Sequence, residues 1–390
     1  MRIARVLTRL NLGGPSRQVL ASDPILRDRG HELRLFVGSP EPGEGDLFET
    51  VREAGLDVVR VPGLSRGLNP LGDRRAERAL RKELESFRPE LVHTHATKAG
   101  MVGRRASREL QGIGRVHTFH GHVFEGYFPE PVSKLLIRRE RKLAVETDRI
   151  VAVSHATADD LVRLEVTSEE KLVVIPPGAK LTDLLGLGHP RSGVGALRRQ
   201  IGAAEDDFLL GVIGRLAPVK QPQVAVDVFE LMAERYPKLH LVFVGDGSER
   251  GGLERRIGGL EEAHARRVHM LGAVDEMTAI YAELDAVMLT SFSEGLPVAL
   301  IEAAAAALPA LATPVGGVSE IVAHERTGFV GEAPTELAFG LDQMLSNPAE
   351  TAAMGQRARV RVSKRYSAES LADRLESLYE LVLKEVACAS

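Results

Sequence analysis

Glu294 and Glu302 are the residues of this chain whose type and position most clearly indicate chemistry. Glu294 follows the strand-like run 286–290, and Glu302 lies in the helix-forming run that begins at Pro297. Open α/β sheets bind ligands at the carboxyl ends of their strands, where helix amide groups favour anions. Two carboxylates at that edge suit a ligand with both hydroxyls and phosphates, and a nucleotide sugar is such a ligand.

The two glutamates allow three interpretations. A hydrolytic acid/base pair requires the two carboxylates to face each other across a bond. Ordinary helix-start acids, which the helix dipole favours, are the second interpretation. Pro297 suits the first position of a helix, so Glu294 should precede the helix and Glu302 should lie inside it. We therefore favour the third interpretation, in which the two residues grip two parts of one ligand.

A short basic loop follows an earlier strand of the same half of the chain, and Arg215 and Lys220 bracket it. A forked guanidinium and an ammonium can together neutralise a diphosphate. The alternative is two exposed basic residues on an ordinary loop. We favour the binding interpretation because a neighbouring strand end carries the glutamates and another carries a glycine turn, Gly316-Gly317.

In the first half of the chain, Gly13 and Gly14 follow the first strand-like run and open the first helix. Paired glycines let a backbone approach a ligand closely, and the amides of the following helix can bind phosphate. The spacing is not that of a dinucleotide-binding glycine motif. A tight strand-to-helix turn explains the two glycines nearly as well.

Five histidines lie near two predicted strand ends of the first half: His93, His95, His117, His120 and His122. No Asp-x-Asp motif occurs in the chain. Their spacing is not that of a zinc site, so we predict no metal centre. His120, which precedes a glycine, is interpreted as a polar group facing a ligand cleft. Some of the other histidines are expected to be strand-end residues with satisfied hydrogen bonds.

Short β-rich runs alternate with helical runs, which predicts an α/β fold with parallel sheets. We expect two Rossmann-like, doubly wound domains that face each other across a cleft. The first spans residues 1–180, a Gly/Pro-rich linker spans 181–205 and the second domain spans 206–367. An amphipathic helix at about 368–390 should pack back on the first domain. The predicted strands are 3–8, 32–37, 91–95, 116–120, 150–154, 172–176, 208–213, 239–245, 268–271, 286–290, 310–313 and 329–330.

The composition sets limits on the class of protein. The 390 residues are 44% hydrophobic and 27% charged, which is ordinary for globular domains. No apolar run approaches the roughly 20 residues of a membrane span, and the first ten residues lack the apolar core of a signal peptide. The single cysteine, Cys388, excludes a disulfide framework and a Cys-based metal site, and it fits a cytoplasmic location.

Charge gives little support to a nucleic-acid partner, because the isoelectric point is near 6.3 and no arginine-rich tail occurs. One helical stretch of the first half is basic. A solvated helix face is the interpretation we favour for it. The alternative is a docking patch for an anionic acceptor or for the inner face of a membrane. The stretch contains Lys134, Arg138, Arg139, Arg141 and Lys142.

These motifs together resemble the retaining glycosyltransferases of family 4, which have the GT-B fold, and the resemblance spans nearly the whole chain. Its most specific part runs from Glu294-Gly-Leu-Pro to Glu302-Ala and continues through Leu308-Pro309 to the 313–317 turn and Glu320. The remaining motifs occur in the family's order: Gly13-Gly14, His120-Gly121, Gly214-Arg215-Leu216 with Lys220, and Val244-Gly245-Asp246-Gly247.

The resemblance implies a role for each matching residue of the second half. Arg215 and Lys220, with Gly214 before them, bind the diphosphate of the donor. Glu302 holds the nucleotide ribose, and Glu294 holds hydroxyls of the donor sugar. The remaining contacts implied are backbone contacts to phosphate and sugar from Gly295, Leu296, Pro297 and Val298, and a border to the base from the loop between Leu271 and Val274.

In the first half, the resemblance implies that Gly13 and Gly14 let their loop approach the diphosphate and that His120 faces the sugar near the reacting carbon. Catalytic roles are therefore expected for His120, Arg215, Lys220 and Glu294. The chain departs from the family pattern at Ala307, where glycine is usual, and at Ala179-Lys180, where an aliphatic–acidic pair is usual.

The family's chemistry implies transfer of a hexose-type sugar from a nucleotide sugar to an acceptor hydroxyl, with retention and without a metal or a further cofactor. A UDP-sugar is the favoured donor and a GDP-sugar the alternative. The acceptor is a lipid-linked, saccharide or small-molecule hydroxyl. A nucleotide-sugar epimerase on the same fold and a non-catalytic nucleotide-sugar-binding protein are the competing hypotheses, and the first would exchange a sugar proton without any acceptor.

Overall fold

The computed structural model describes residues 1–11, 14–40, 45–67, 69–121, 124–125, 128–187 and 195–389. Gly13 and His122 lie outside the described residues, as do residues 188–194 of the predicted linker. The chain divides into two compact units. Unit 1 comprises Met1–Ala179 and Tyr366–Ser390, and unit 2 comprises Lys180–Arg365.

Each unit is built on one parallel sheet, as the alternating pattern predicts. In unit 1 the strand order is β3-β2-β1-β4-β5-β6-β7, and in unit 2 it is β10-β9-β8-β11-β12-β13. The strands are β1 Arg2–Leu7, β2 Glu32–Val37, β3 Asp57–Arg60, β4 Leu91–His95, β5 Gly114–Phe119, β6 Arg149–Ala152, β7 Leu172–Val174, β8 Phe208–Ile213, β9 Leu239–Val244, β10 Val268–Met270, β11 Ala286–Leu289, β12 Ala310–Ala312 and β13 Gly328–Val330.

Helices connect the strands, and buried apolar side chains join the helices to the sheets. The helices are α1 Gly14–Asp28, α2 Phe48–Glu53, α3 Pro70–Phe87, α4 Ala96–Ala106, α5 Glu130–Val145, α6 His155–Arg163, α7 Thr182–Leu185, α8 Ala196–Ile201, α9 Pro222–Ala233, α10 Arg250–Gly258, α11 Glu262–Ala265, α12 Met277–Tyr281, α13 Val298–Ala305, α14 Val318–Ile321, α15 Pro334–Ser346, α16 Pro348–Val362 and α17 Ala368–Ala389.

The predicted C-terminal helix is confirmed as α17, and it belongs to unit 1 although Lys180–Arg365, which precedes it in the chain, forms unit 2. Its apolar residues recur every three or four positions, which gives one stripe for the sheet. Leu375, Tyr379 and Val382 pack there against Ile3 and other strand residues of unit 1. The helix therefore covers one face of the first sheet.

The predicted linker 181–205 is not a bare connection, because α7 and α8 lie within it and belong to unit 2. The carboxylate of Glu283 accepts hydrogen bonds from the backbone N–H groups of Leu197 and Arg198 at 2.9 and 2.8 Å. Arg198 also pairs with Asp285 at 3.0 Å, and both side chains are buried. Long-range capping of a short helix explains why composition alone predicted a linker.

The helix after Glu294 is shorter than its sequence predicts. We expected it to reach Leu308, but α13 ends at Ala305. Ala307 has a φ of 60°, and its N–H and that of Leu308 donate to the carbonyls of Ala304 and Ala303 at 2.9 Å. These two bonds form a Schellman motif, whose left-handed position usually requires glycine. The departure from the family pattern at Ala307 therefore affects the backbone at the end of the helix.

We expect Ala307→Gly to stabilise unit 2 by about 0.5–1 kcal/mol. Left-handed geometry costs an L-residue roughly 1–2 kcal/mol, whereas losing one buried methyl costs about 0.8 kcal/mol, so relief of strain outweighs the lost packing. Urea denaturation of the variant and the parent measures the difference. Ala304→Gly is the matched control, because it lies in right-handed helix and should destabilise the unit. An Ala307→Gly variant no more stable than the parent would contradict the strain argument.

Candidate functional site

The strand order of unit 2 reverses between β8 and β11, because the chain proceeds outward from β8 on one side and from β11 on the other. Open α/β sheets bind ligands at such a switch point, outside the carboxyl ends of the strands. The loop after β8 carries Arg215 and Lys220, and the loop after β11 carries Glu294. The topology therefore places these three predicted site residues at the edge where ligands bind.

Lys220 and Glu294 are in direct contact. The Nζ atom of Lys220 donates to Oε1 of Glu294 at 2.5 Å, and the hydroxyl of Ser291 donates to the same oxygen at 2.5 Å. The Lys220 side chain is 26% exposed and that of Glu294 is 11% exposed. An ammonium has three N–H donors, and within the described residues two of them have no acceptor. The pair can therefore bind an anion without being separated.

The end of β11 also holds the backbone around Lys220. The Thr290 hydroxyl lies 3.0 Å from the carbonyl oxygens of both Lys220 and Gln221. The N–H of Phe292 donates to the carbonyl of Val219 at 3.0 Å. Thr290 is buried, so these contacts fix the loop after β8 to the strand beside it.

Arg215 is exposed in the same loop, and the loop after β9 sets its backbone. The N–H of Leu216 donates to the carbonyl of Asp246 at 3.0 Å. Gly245 has a φ of 137°, and a Cβ there would lie 2.0 Å from the carbonyl oxygen of Gly214. Only glycine permits this approach, so Gly245 lets the loop after β9 lie against the Arg215 loop and hold it in place.

The backbone of Glu294 is set by the glycine turn after β12. Gly316 has a φ of 52°, and a Cβ there would lie 1.8 Å from the carbonyl oxygen of Glu294. The N–H of Gly317 donates to the carbonyl of Gly295 at 2.9 Å. The glycine turn predicted at a neighbouring strand end thus lies against the Glu294 loop.

The helix that follows Glu294 begins one residue later than predicted. Pro297 is extended, with φ −75° and ψ 109°, and α13 starts at Val298. Leu296 is buried, and it anchors the loop in the core. Glu294 precedes the helix and Glu302 lies inside it, as the sequence predicts. The segment from Gly295 to Val298 therefore forms the approach to the amino end of α13.

Glu302 is oriented by a residue that the sequence analysis missed. Tyr281 ends α12, and its hydroxyl donates to Oε2 of Glu302 at 2.9 Å. The Tyr281 side chain is fully buried. A buried tyrosine hydroxyl normally requires a polar partner, so a tyrosine in an apolar run just before β11 was a signal for such a partner.

Leu271 and Val274 lie in the loop after β10, at the outer strand of the sheet, and both are half-buried. The carbonyl of Gly272 between them accepts a hydrogen bond from the N–H of Gly245 at 2.7 Å. The loop proposed to border a base is thus attached to the loop that supports Arg215. The other predicted site residues of the second half, Gly214 and Gly295 among them, lie in the loops already described.

In unit 1 the strand order reverses between β1 and β4. Gly14 is the first residue of α1, and a Cβ at this position would meet nothing within 4 Å. The surroundings of Gly14 within the described part of the chain therefore do not require glycine. His120 follows β5, one strand beyond the switch point.

His120 belongs to a chain of polar side chains that crosses the centre of the unit 1 sheet. Its Nε2 atom lies 3.0 Å from Nδ1 of His95. The Nε atom of Arg5 donates to Nε2 of His95 at 3.1 Å, and Nη1 of Arg5 pairs with Asp23 at 2.9 Å. Arg5, His95 and Asp23 are each 1% exposed.

A second series of hydrogen bonds links Arg5 to the C-terminal helix and then to His93. Nη1 of Arg5 donates to the Tyr379 hydroxyl at 3.2 Å, which lies 2.6 Å from Nδ1 of His93. The Nε2 atom of His93 lies 2.7 Å from the Thr118 hydroxyl. His93 and His95 are therefore hydrogen-bonded strand-end residues, as the sequence analysis expected.

Burial makes these histidines neutral at ordinary pH. It lowers the pKa of His120 to about 3, and the positive charge of Arg5 acts in the same direction. Burial also lowers the pKa values of His93, His95 and His117 well below the usual value for histidine. In this environment the lowered pKa favours neutral His120, which can act as a hydrogen-bond partner.

The described residues contain no group of three or more His, Cys, Asp or Glu side chains that could hold a metal ion. They also contain no helix long and apolar enough to cross a bilayer. On the basic helix α5, Lys134 pairs with Glu130 at 2.6 Å and Arg141 with Glu165 at 2.9 Å, which fits the solvated-face interpretation.

Residues 12–183 match the family model described as Glycosyltransferase Family 4, and residues 194–361 match the model described as Glycosyl transferases group 1. The D-inositol 3-phosphate glycosyltransferase of Segniliparus rotundus is 30% identical over 403 residues, covering 97% of this chain and 86% of that protein. The UDP-Gal:alpha-D-GlcNAc-diphosphoundecaprenol alpha-1,3-galactosyltransferase of Escherichia coli is 27% identical over 336 residues, covering 85% of this chain and 84% of that protein.

Among solved structures, Anabaena HepE in complex with UDP-glucose superposes with a TM-score of 0.80 at 22% identity. The superposition covers 97% of this chain and 99% of that one. At this identity the likeness concerns the fold, and it confirms the predicted pair of Rossmann-like domains.

Proposed function

Because the chain belongs to glycosyltransferase family 4, we propose that it moves a hexose-type sugar from a nucleotide-sugar donor to an acceptor hydroxyl with retention of anomeric configuration. The contact of Lys220 with Glu294 at the switch point of unit 2 carries the proposal. In this contact, a cation that can bind a diphosphate lies beside a carboxylate that can bind sugar hydroxyls.

The donor diphosphate is proposed to bind at the loop after β8. Arg215 supplies a forked guanidinium, and Lys220 supplies the two N–H groups that Glu294 leaves unused. The two cations and one carboxylate give this group a net charge of +1. Positive charge there stabilises the departing diphosphate most when its own negative charge has developed, which lowers the barrier to the reaction. This arrangement supports transfer without a metal ion.

Glu294 and Glu302 are proposed to hold two different parts of the donor. Glu294, oriented by Ser291 and Lys220, accepts hydrogen bonds from hydroxyls of the sugar. Glu302, oriented by Tyr281, accepts hydrogen bonds from the ribose. For His120 we propose the role that the family resemblance implies, a contact to the sugar near the reacting carbon.

The proposed reaction requires little covalent chemistry from the protein. The bond between the anomeric carbon and the diphosphate breaks as the acceptor oxygen attacks the same face of the sugar. An oxygen of the departing phosphate takes the acceptor's proton. The side chains then position the reactants and stabilise charge.

A UDP-sugar is the donor we favour, with a GDP-sugar as the alternative. Solved structures of the similarly folded HepE contain UDP and UDP-glucose, and the E. coli relative is named for UDP-Gal. The names of the relatives include a phosphorylated polyol and a lipid-linked saccharide as acceptors. The acceptor panel should therefore contain both classes, in addition to simple sugars.

The test is release of nucleoside diphosphate from a panel of UDP- and GDP-sugars, with and without acceptors, in the presence of a chelator. We expect release of nucleoside diphosphate that depends on the acceptor and that the chelator does not suppress. We also expect NMR to show that the product keeps the anomeric configuration of the donor. An inverted product would overturn retention. Solvent deuterium entering the sugar without an acceptor would indicate an epimerase, and donor binding without turnover on every acceptor would indicate a binding protein.

We expect Glu302→Gln to weaken binding of the nucleoside diphosphate by about 10- to 100-fold. Replacing the carboxylate removes a charge-assisted hydrogen bond worth roughly 1.5–3 kcal/mol. Titration calorimetry with the diphosphate of the best donor measures the change. Tyr281→Phe should have a smaller effect of the same sign, because it releases the carboxylate without removing it.

The matched control for Glu302 is Glu234→Gln. Glu234 is exposed at the carboxyl end of α9, which is the opposite edge of a parallel sheet from the strand ends that carry the site. Its affinity should equal that of the parent. If Glu302→Gln binds the nucleoside diphosphate as tightly as the parent does, Glu302 is not part of the donor site.

A further inference from the structure

Arg5 is an unusual residue for its place in the fold. It lies in the middle of β1, a central strand of the unit 1 sheet, and it is 1% exposed. Its neighbours two positions away, Ile3 and Leu7, are fully or almost fully buried apolar residues. A buried arginine is costly unless its charge is paired and its N–H groups are bonded. The contacts of Arg5 therefore indicate why this position is not aliphatic.

The donor directions around Arg5 follow from chemistry alone, because a guanidinium donates hydrogen bonds and never accepts them. Its Nε–H points to Nε2 of His95 at 3.1 Å, so that nitrogen must carry a lone pair. The proton of neutral His95 then sits on Nδ1, which lies 3.0 Å from Nε2 of His120. Nε2 of His120 must in turn be the acceptor of this bond.

We propose that Arg5, acting through His95, fixes the tautomer of His120 with the proton on Nδ1. Which ring nitrogen of a histidine carries the proton is set by the hydrogen bond that the other nitrogen makes. Arg5 and His95 are positioning residues in this scheme. His120 is the residue that meets a ligand.

The contacts that hold Arg5 fix the direction of the relay, by which we mean the hydrogen bonds from Arg5 through His95 to His120. Its Nη1 is bonded to Asp23 at 2.9 Å and to the Tyr379 hydroxyl at 3.2 Å, and Asp23 also accepts from Ser22 at 2.9 Å. The guanidinium plane is rigid, so fixing Nη1 also aims Nε at His95. Helix α1 and the C-terminal helix thus both contribute to the state of His120.

The fixed tautomer assigns a task to His120. Within the described residues its Nδ1 has no hydrogen-bond partner, so the Nδ1–H group can donate to an oxygen of a ligand. The occupied Nε2 lone pair makes His120 a poor base. This consequence rests on the proposed function in one respect, namely that the oxygen belongs to the donor sugar or to the acceptor. A donor group oriented before the ligand arrives needs no reorganisation during the reaction.

The tautomer can be tested without any substrate. Long-range ¹H–¹⁵N correlation spectra of the full chain at pH 7 distinguish a protonated ring nitrogen from an unprotonated one, and the spectrum of His120→Gln identifies the His120 signals. We expect His120 to carry its proton on Nδ1 in the parent protein. A proton on Nε2, or on both nitrogens, would overturn the proposal even if the protein proves to be a glycosyltransferase as proposed.

Two substitutions of His95 separate the relay from simple packing. His95→Gln keeps one acceptor for Arg5 and one donor for His120, so the Nδ1–H tautomer should persist. His95→Leu removes both, so Nε2–H should become populated. His240→Leu is the matched control, because it breaks a similar pair, His240 with His269 at 3.0 Å, in unit 2. It should leave the His120 signals unchanged.

Activity provides the second readout. We expect His95→Leu to lower kcat/KM by about 10- to 100-fold, the loss of one oriented hydrogen bond, and His95→Gln to remain within about threefold of the parent. An unchanged tautomer in His95→Leu would refute the relay. A changed tautomer with unchanged kcat/KM would keep the relay and remove His120 from the reaction. If His95→Leu does not fold, the parent spectrum and His95→Gln decide.

Discussion

Lys220→Ala is expected to lower kcat by about 10²–10³-fold, roughly 2.7–4 kcal/mol of transition-state stabilisation. Lys220 is the cation that Glu294 and the backbone contacts of Thr290 hold at the switch point. Negative charge on the diphosphate grows as the sugar departs, so the ammonium binds the transition state more strongly than the substrate. Steady-state release of nucleoside diphosphate, measured with the best donor and acceptor, gives the effect.

The control for Lys220 is Lys238→Ala. Lys238 is also ion-paired within unit 2, with Asp206, but it precedes β9 and lies at the amino edge of the sheet. Its kcat should equal that of the parent. Thermal denaturation of both variants checks that the units remain folded, because Lys220→Ala leaves Glu294 with a hydrogen bond from Ser291 but without its cation. A full-rate Lys220→Ala enzyme would refute the proposed stabilisation of the leaving group.

The second large effect concerns acid stability. We expect unit 1 to lose about 6 kcal/mol of unfolding free energy between pH 7.5 and pH 5 from His93, His95 and His117 together, and His120, whose pKa burial lowers to about 3, should add to this loss. Burial lowers the pKa of each well below 6.5 in the folded state. The unfolded state therefore binds more protons below pH 6.5, and each histidine contributes about 2 kcal/mol in its favour at pH 5.

Two arginines and one carboxyl group modify this dependence. Arg5 and Arg104 disfavour protonation of the histidines in the folded state, so they strengthen the effect. Burial raises the pKa of Asp23 against the opposing influence of Arg5. A raised carboxyl pKa favours the folded state as pH falls, so Asp23 opposes the histidines. The decline with falling pH should prevail, because four buried histidines act against one carboxyl group.

Urea titrations at several pH values, followed by hydrogen-exchange mass spectrometry of peptides from β4 and β5, report unit 1 separately from unit 2. His117→Gln should remove about 2 kcal/mol of the loss between pH 7.5 and pH 5. His155→Gln is the matched control, because His155 is exposed at the start of α6. Stability that does not change with pH, or an unchanged loss in His117→Gln, would contradict the buried neutral state.

Local pattern predicted most of the elements, and its failures have physical causes. The predicted strands that end at Thr290, Thr313 and His120 each extend one residue too far. β-Branched and aromatic residues are typical of strands, even at positions that no longer pair with a neighbouring strand. In the structure Thr290 and Thr313 instead bond neighbouring loops through their hydroxyls. Strand β3 was missed, because its four residues, Asp57–Arg60, form a half-exposed edge with little hydrophobic signal.

The candidate site was predicted unevenly for a similar reason. Lys220, Glu294 and Glu302 stand in recognisable spacings beside glycine and proline, so the sequence marked them. Tyr281 and Arg5 are single polar residues in apolar runs, and such a signal does not identify its partner. The Arg5 contact to Tyr379 spans 374 positions of the chain.

Periodicity and turn chemistry act over a few residues, so local pattern was enough to predict the parallel α/β architecture, the order of the motifs and the residue types at the strand ends. Which of these residues meet depends on the folded chain. The reversal of strand order joined Lys220 to Glu294, and adjacent strands with a returning helix placed Arg5 behind His95 and His120. Such contacts depend on how distant segments cross over in the sheet, and no local pattern encodes that.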